Sequence, residues 1–180
     1  RILRTARGVE QLIALLLVLA RDPARLAAIS ETFRLDAMLP ALVATGAATL
    51  ELMDATSLRV GQAFPDTPKL IKDLQVSKQA ALLVEYQATT RAELEHLAQA
   101  ARPTLDDLSV TGPVELTEDP VLRGKLWKLR KGLYTSVAGA RPSGTTALLE
   151  DIVVPVPQLA PTCASPFATV RTVTISLRTR

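Results

Sequence analysis

The sequence predicts an α+β fold in which helices pack on one face of a largely antiparallel sheet. Segments with strand patterning alternate along the chain with segments of helical spacing, and no repeat, heptad array or low-complexity tract interrupts them. Hydrophobic residues make up 48% and charged residues 22% of the 180 positions, which is typical of a globular domain with a real core.

The N-terminal part, residues 1–39, is predicted to be a helical segment of uncertain origin. Residues 9–20 and 23–30 favour two short helices, and Asp22 with Pro23 supplies the cap and first turn of the second. Arginines precede the first apolar run, as in a signal peptide. The residues after that run are charged rather than small, which favours a core helix.

The middle of the chain supplies two strand candidates. Residues 49–54 (TLELMD) and 80–86 (AALLVEY) are short apolar runs, as buried strands are. Between them a helical turn is expected to stop at Gly61, and residues 64–68 read as a proline-bounded loop. Before them, Pro40 is expected to break the helical pattern.

Two further helices carry cap signals. Thr90 and Glu93 form a capping box, and the apolar stripe that follows is expected to end at Pro103. His96 falls off that stripe and is therefore predicted to lie on the surface. Thr117, with acids after it, is predicted to cap the next helix.

The C-terminal part predicts two more strands, residues 146–155 and 170–177. Residues 140–146 (ARPSGTT) have turn chemistry, and their hydroxyls and backbone N–H groups could alternatively hold an anion. Glu150 and Asp151 are adjacent in a strand and face opposite ways, so they are not a catalytic carboxylate pair. Either could form a salt bridge with a helical arginine.

The scarcity of cysteine and histidine limits the chemistry. The single cysteine rules out an internal disulfide framework and favours a reducing compartment, so a cytoplasmic location is expected. With one histidine, the chain alone cannot form a two-histidine metal site or a Cys/His cluster. No apolar run reaches the roughly 20 residues that a membrane-spanning helix needs.

Positive charge gathers around the only tryptophan. Between Pro120 and Leu149 there are six cations and no acid, against a net charge of +3 for the whole chain. The cations are Arg123, Lys125, Lys128, Arg130, Lys131 and Arg141. On a helical wheel, an apolar stripe that must face the core consists of Leu122, Leu126, Leu129 and Leu133.

The same wheel separates the cations by position. One flank of the stripe carries Arg123, Trp127, Arg130 and Tyr134. Lys128 lies on the other flank, and Lys131 points away from the core. An arginine at the edge of buried surface can clamp a carboxylate through two parallel hydrogen bonds, which a lysine cannot copy.

This charge has two alternative interpretations. The cations could form a solvated face whose side chains extend over Trp127. Nucleic-acid binding is disfavoured, because Trp127, Tyr86 and Tyr134 are not expected to form an aromatic platform on one sheet.

Three stretches resemble the C-terminal, substrate-side domain of FAD-linked oxidases. They are TGAATLELMDATSLRV (45–60), ALLVEY (81–86) and GKLWKLRKGLYTSVAGARPSGTTALLEDIVVPVPQL (124–159). The resemblance is to the glycolate oxidase, D-lactate dehydrogenase and D-2-hydroxyglutarate dehydrogenase group of the vanillyl-alcohol oxidase superfamily, over residues 40–160. It implies a ferredoxin-like α+β domain that covers the flavin and shapes the substrate pocket.

The resemblance also implies binding residues. In that family the arginine of a W-x-x-R pattern binds the substrate carboxylate, and here Arg130 follows Trp127 in that pattern. Arg141 is similar to a basic position lining the same pocket, and Trp127 and Tyr134 are expected beside it. No catalytic residue and no metal ligand is expected in this chain. FAD is expected in the full-length parent and not on this chain alone.

Two departures from the family pattern shape the functional expectation. The family continues with a histidine-rich segment that supplies metal ligands and a base, whereas residues 161–180 contain no histidine and are expected to be a tail or edge strand. The glycine-rich FAD-binding domain is also absent. We therefore expect a fragment, inactive alone, of a flavoenzyme that oxidises a D-2-hydroxy acid such as lactate, glycolate or 2-hydroxyglutarate.

The expected partners are the 2-hydroxy acid and the FAD-binding domain, without nucleic acid, and a homodimer is plausible through an exposed apolar face. An electron acceptor at a membrane would make the location peripheral. The alternative function is a non-catalytic ferredoxin-like module that binds an anion or a partner protein.

Overall fold

The computed structural model describes residues 10–18, 35–53, 55–76, 80–108, 114, 116–139, 143–144 and 174–178. The elements in chain order are β1 Glu10–Val18, α1 Leu35–Ala44, β2 Thr49–Met53, α2 Ala55–Gln62, α3 Lys69–Lys72, β3 Ala80–Ala88, α4 Arg91–Asp107, α5 Pro120–Gly139 and β4 Thr174–Arg178. The predictions for residues 23–30 and 146–155 lie outside the described residues.

The strands form one sheet in the order β1-β3-β2-β4. Each neighbouring pair is antiparallel. Strand β3 pairs with β1, where Ala88 lies opposite Glu10, and with β2, where Glu85 lies opposite Thr49. Strand β4 pairs with the other edge of β2. The predicted α+β class, with helices packed against an antiparallel sheet, is confirmed. Strands β1 and β2 run parallel to each other and are separated by antiparallel β3, as in a split β-α-β unit.

The helices cover both faces of the sheet, whereas the sequence pattern predicts them on one face only. On the first face, α1 and α4 pack against Leu50, Leu52, Leu82, Val84 and Tyr86. On the second, α2, α3 and α5 pack against Met53, Ala81 and Leu83. The physical reason is that β2 and β3 carry apolar side chains on both faces, so each face has hydrophobic area that must be buried.

The prediction of a helix over residues 9–20 was wrong, because residues 10–18 form strand β1. Nine continuous apolar-rich residues fit a buried strand as well as a helix, and periodicity cannot separate the two. The deciding factor is β3, which offers a partner of the same length, from Ala88 opposite Glu10 to Ala80 opposite Val18.

Two predicted helix ends were also wrong, because Pro40 lies inside α1 and Pro103 lies inside α4. Helix α2 ends at Gln62, one residue after the predicted stop at Gly61. Both prolines are exposed, while buried leucines on either side hold the helices to the core, so packing outweighs the lost backbone hydrogen bond. Gly61 is buried because α5 approaches there: a Cβ at this position would lie 2.8 Å from Leu129 Cδ1.

Several local predictions are confirmed. The strands β2 and β3 lie where predicted, and the capping box is formed, with the Glu93 N–H donating to Thr90 Oγ1 at 3.2 Å. His96 is exposed. The cap of α5 lies two residues later than predicted, since the Val121 N–H donates to Asp119 Oδ1 at 2.8 Å and not to Thr117. Residues 174–178 confirm the last strand.

Candidate functional site

The apolar stripe of helix α5, which we call the leucine seam, packs as the helical wheel predicts. Leu126, Leu129 and Leu133 are buried against α2 and the sheet, and Leu122 packs partly buried beside them. Lys131 is exposed. This seam fixes the rotation of α5, so the two flanks of the stripe have different neighbours.

One flank of α5 faces the sheet, where Arg130 meets a buried acid. Arg130 Nε donates to Glu51 Oε2 at 2.9 Å, and the two side chains are 23% and 3% exposed. Glu51 occupies the middle of β2, opposite Leu83 on β3. A carboxylate buried to this extent needs a paired cation or several hydrogen bonds, because desolvation strongly disfavours its charge.

Trp127 reaches a second buried acid on the same face of the sheet. Its indole Nε1 donates to Glu85 Oε1 at 3.1 Å, and Gln87 Nε2 donates to Glu85 Oε2 at 2.8 Å. The register pairs Thr49 with Glu85, which makes Glu51 and Glu85 diagonal neighbours across two strands. Two carboxylates therefore attach α5 to the sheet, one through a guanidinium and one through an indole.

Neither acid was predicted from the sequence. Glu150 and Asp151 were the predicted partners for a helical arginine, and both lie outside the described residues. A signal was present, however, because Glu51 and Glu85 interrupt otherwise apolar strands. Acids at core positions are rare unless paired, so their placement indicates a partner on the opposing helix.

The other flank of α5 borders a groove of about 350 Å³, which we call the lysine groove. Its lining consists of Phe64, Pro65, Asp66, Thr67, Lys125, Lys128, Leu129, Gly132, Thr135 and Ser136. Lys128 donates to Asp66, and both side chains are exposed. This hydrogen bond, the Lys128 charge, and the charges of Lys125 and Lys72 lower the pKa of the Asp66 carboxyl below its ordinary value.

The structure brings together only part of the predicted site. Arg130 and Trp127 lie together on the sheet side of α5, and neither lines the lysine groove. Tyr134 belongs to α5, but its side chain is outside the described part, as is Arg141 altogether. Tyr86 lies in the core of the opposite face, where burial raises the pKa of its hydroxyl.

The described residues do not fit FAD by themselves. A dinucleotide needs a glycine-rich turn that opens a helix and cradles its phosphates. Among the described glycines, those with positive φ are Gly46, which follows the end of α1, and Gly144, in an exposed turn. The lysine groove is near the lower end of the roughly 300–1,000 Å³ range of small-ligand pockets.

The described residues contain no group of three or more His, Cys, Asp or Glu side chains arranged to hold a metal ion. Their helices are also too short or too polar to cross a membrane.

Comparison with known proteins identifies the family. The family model described as "FAD linked oxidases, C-terminal domain" matches residues 34–171, well over half of the chain. Comparison with curated proteins gave no match. The matched region contains both strands with the buried acids and the whole of α5. This chain therefore belongs to the FAD-linked oxidases, a family of flavin-dependent oxidoreductases, as a C-terminal domain.

Proposed function

We propose that this chain forms the substrate side of an FAD-dependent dehydrogenase that oxidises a D-2-hydroxy acid. Lactate, glycolate and 2-hydroxyglutarate represent the substrate class. The family match supports the flavin-dependent parent, and the W-x-x-R pattern of Trp127 and Arg130 supports a carboxylate substrate. The FAD would be carried by a separate FAD-binding domain, which is the partner that this proposal requires.

The observation that carries the proposal is the way Arg130 is held. Its Nε is engaged by Glu51 at 2.9 Å, while among the described residues its two terminal nitrogens have no hydrogen-bond partner. A guanidinium has five N–H donors in a fixed plane. When Nε is bound to one carboxylate, the edge formed by the two terminal nitrogens, Nη1 and Nη2, can donate to a second carboxylate. The remaining 23% exposure of the side chain is consistent with access from outside.

The role of Arg130 in this proposal is positioning. Two parallel hydrogen bonds to the substrate carboxylate would restrict its rotation and present one face of Cα to the flavin domain. The bond between Glu51 and Arg130 would keep the fork from turning away. Redox chemistry belongs to the flavin, so this chain contributes binding and orientation.

Steady-state kinetics of the full-length enzyme test this assignment. Arg130→Ala should raise KM for the hydroxy acid at least about tenfold, because hydrogen bonds to charged groups contribute about 1.5–3 kcal/mol. Arg130→Lys, which keeps the charge but not the fork, should also raise KM. Lys128→Ala is the matched control and should leave KM close to the wild-type value. Equal effects at positions 128 and 130 would refute the role of Arg130.

The flavin content of the purified chain tests the proposal that a separate domain carries the FAD. Purified alone, this chain should carry no flavin and oxidise no hydroxy acid. A yellow preparation, with flavin absorbance in proportion to protein, would show that the chain itself completes the cofactor site.

A further inference from the structure

The lysine groove lies on the flank of α5 that the proposed substrate site does not use. One wall is the helix, with Lys125, Lys128 and Gly132, and the other is the loop from Phe64 to Thr67. Arg130 and Trp127 point to the sheet on the opposite flank. Any ligand of this groove is therefore separate from a carboxylate held by Arg130.

The floor of the groove is apolar and depends on a glycine. The Phe64 ring packs over Gly132 so closely that a Cβ there would lie 3.1 Å from Phe64 Cε2. Leu129 is buried beside them. A side chain at position 132 would occupy the space where the ring and the helix meet, so the glycine keeps the floor open.

The loop wall is held in place from the inside. Thr67 Oγ1 donates to the Gly61 carbonyl oxygen at 2.5 Å, and the Thr67 N–H donates to the Phe64 carbonyl oxygen at 3.2 Å. Lys72 Nζ donates to the Pro65 carbonyl oxygen at 3.0 Å. These bonds position the ring of Phe64 before any ligand arrives, which reduces the ordering cost of binding.

The rim of the groove carries more positive than negative charge. Lys125 and Lys128 are three residues apart and so lie near each other on one helical face. Lys128 is paired with Asp66, whereas Lys125 has no ion-pair partner among the described residues. The pairing of Lys128 is between exposed side chains and is therefore weak, so an incoming anion can share or replace it.

We infer that the lysine groove binds a small monocarboxylate with an apolar body. The carboxylate would lie between the ammonium groups of Lys125 and Lys128, and the apolar body would cover Phe64 and Gly132. A pocket with an apolar floor and a few convergent polar groups is the usual form of a small-ligand site. The size of the groove, about 350 Å³, suits a ligand of this kind.

The test uses the full chain and 4-phenylbutyrate as the probe, followed by amide chemical shifts in an NMR titration. Saturable shifts are expected at Phe64, Lys125 and Gly132. The neutral probe 4-phenylbutyramide should bind at least about tenfold more weakly, because it cannot form charge-assisted hydrogen bonds with the lysines. Acetate, which has the carboxylate without the apolar body, should also bind more weakly.

Charge-neutral variants complete the test. The double variant Lys125→Gln/Lys128→Gln should weaken 4-phenylbutyrate binding at least about tenfold. Lys131→Gln removes one charge from the exposed face of the same helix and should leave the affinity unchanged. The inference is overturned if the double variant binds as well as the wild type, if no saturable shift occurs, or if the shifts centre on Arg130 and Trp127.

Discussion

The two flanks of helix α5 carry cations in similar number but in different surroundings. On the sheet side, Arg130 meets Glu51, a carboxylate that is 3% exposed. On the groove side, Lys128 meets Asp66, and both side chains remain largely in water. A charge of the same sign therefore attaches the helix to the sheet on one flank and stays in water on the other. The difference lies in the burial of the partner.

The largest effect should come from breaking the sheet-side pair. Arg130→Ala leaves the Glu51 carboxylate buried without its cation, and we expect it to lower the free energy of unfolding by about 3 kcal/mol. Lys128→Ala removes a pair between exposed side chains and should cost much less. Urea unfolding followed by far-UV circular dichroism measures both. Similar losses in the free energy of unfolding for the two variants would mean that the two ion pairs contribute equally to stability.

Removing the indole donor tests the second attachment of α5. Trp127→Phe keeps the apolar body but leaves the buried Glu85 without one of its two side-chain donors. We expect the free energy of unfolding to fall by about 1–2 kcal/mol. Urea unfolding measures this loss as well. A variant as stable as the wild type would show that the hydrogen bond from Gln87 is enough to stabilise the buried Glu85 carboxylate.

Two glycine variants compare the side of α5 that packs closely against α2, where Gly61 lies, with the exposed side of α5, where Gly124 lies. A Cβ at Gly61 would lie 2.8 Å from Leu129 Cδ1, whereas one at Gly124 meets no atom within 4 Å. Gly124→Ala should gain about 0.5–1 kcal/mol from helix propensity. Gly61→Ala should be less stable than that variant by about 1–2 kcal/mol, because the seam must shift to admit the methyl group. Thermal unfolding measures both variants, and equal rises in their unfolding temperatures would contradict this expectation.

The smallest effect concerns the titration of Asp66. The hydrogen bond and charge of Lys128 lower the pKa of this carboxyl in the folded state. The pairing therefore contributes stability above the pKa of the unfolded chain, and that contribution is lost as the pH falls through the lower, folded pKa. Carboxyl NMR titration should show the pKa of Asp66 rising toward its ordinary value in Lys128→Gln and staying low in Lys131→Gln.

The sequence predicted those features that depend on local patterns. The strands β2 and β3, the capping box at Thr90 and the leucine seam of α5 follow from residues that lie near one another in the chain. The wheel also separated Arg130 from Lys128 correctly, because the seam alone fixes the rotation of a helix.

What the sequence did not predict depends on partners far away in the chain. Strand β1 looked like a helix because its identity comes from pairing with β3, some 70 positions later. Pro40 and Pro103 looked like helix ends because their cost is outweighed by packing that local rules do not include. Glu51 was missed as the partner of Arg130 since 79 positions separate them.

A double-mutant cycle measures the contrast between the flanks most directly. Unfolding free energies of Glu51→Gln, Arg130→Met and their combination give the coupling on the sheet side, and Asp66→Asn with Lys128→Met gives the coupling on the groove side. We predict a coupling of about 2 kcal/mol or more for the buried pair and a much smaller coupling for the exposed pair. Equal couplings, or a stronger one between Asp66 and Lys128, would contradict the account.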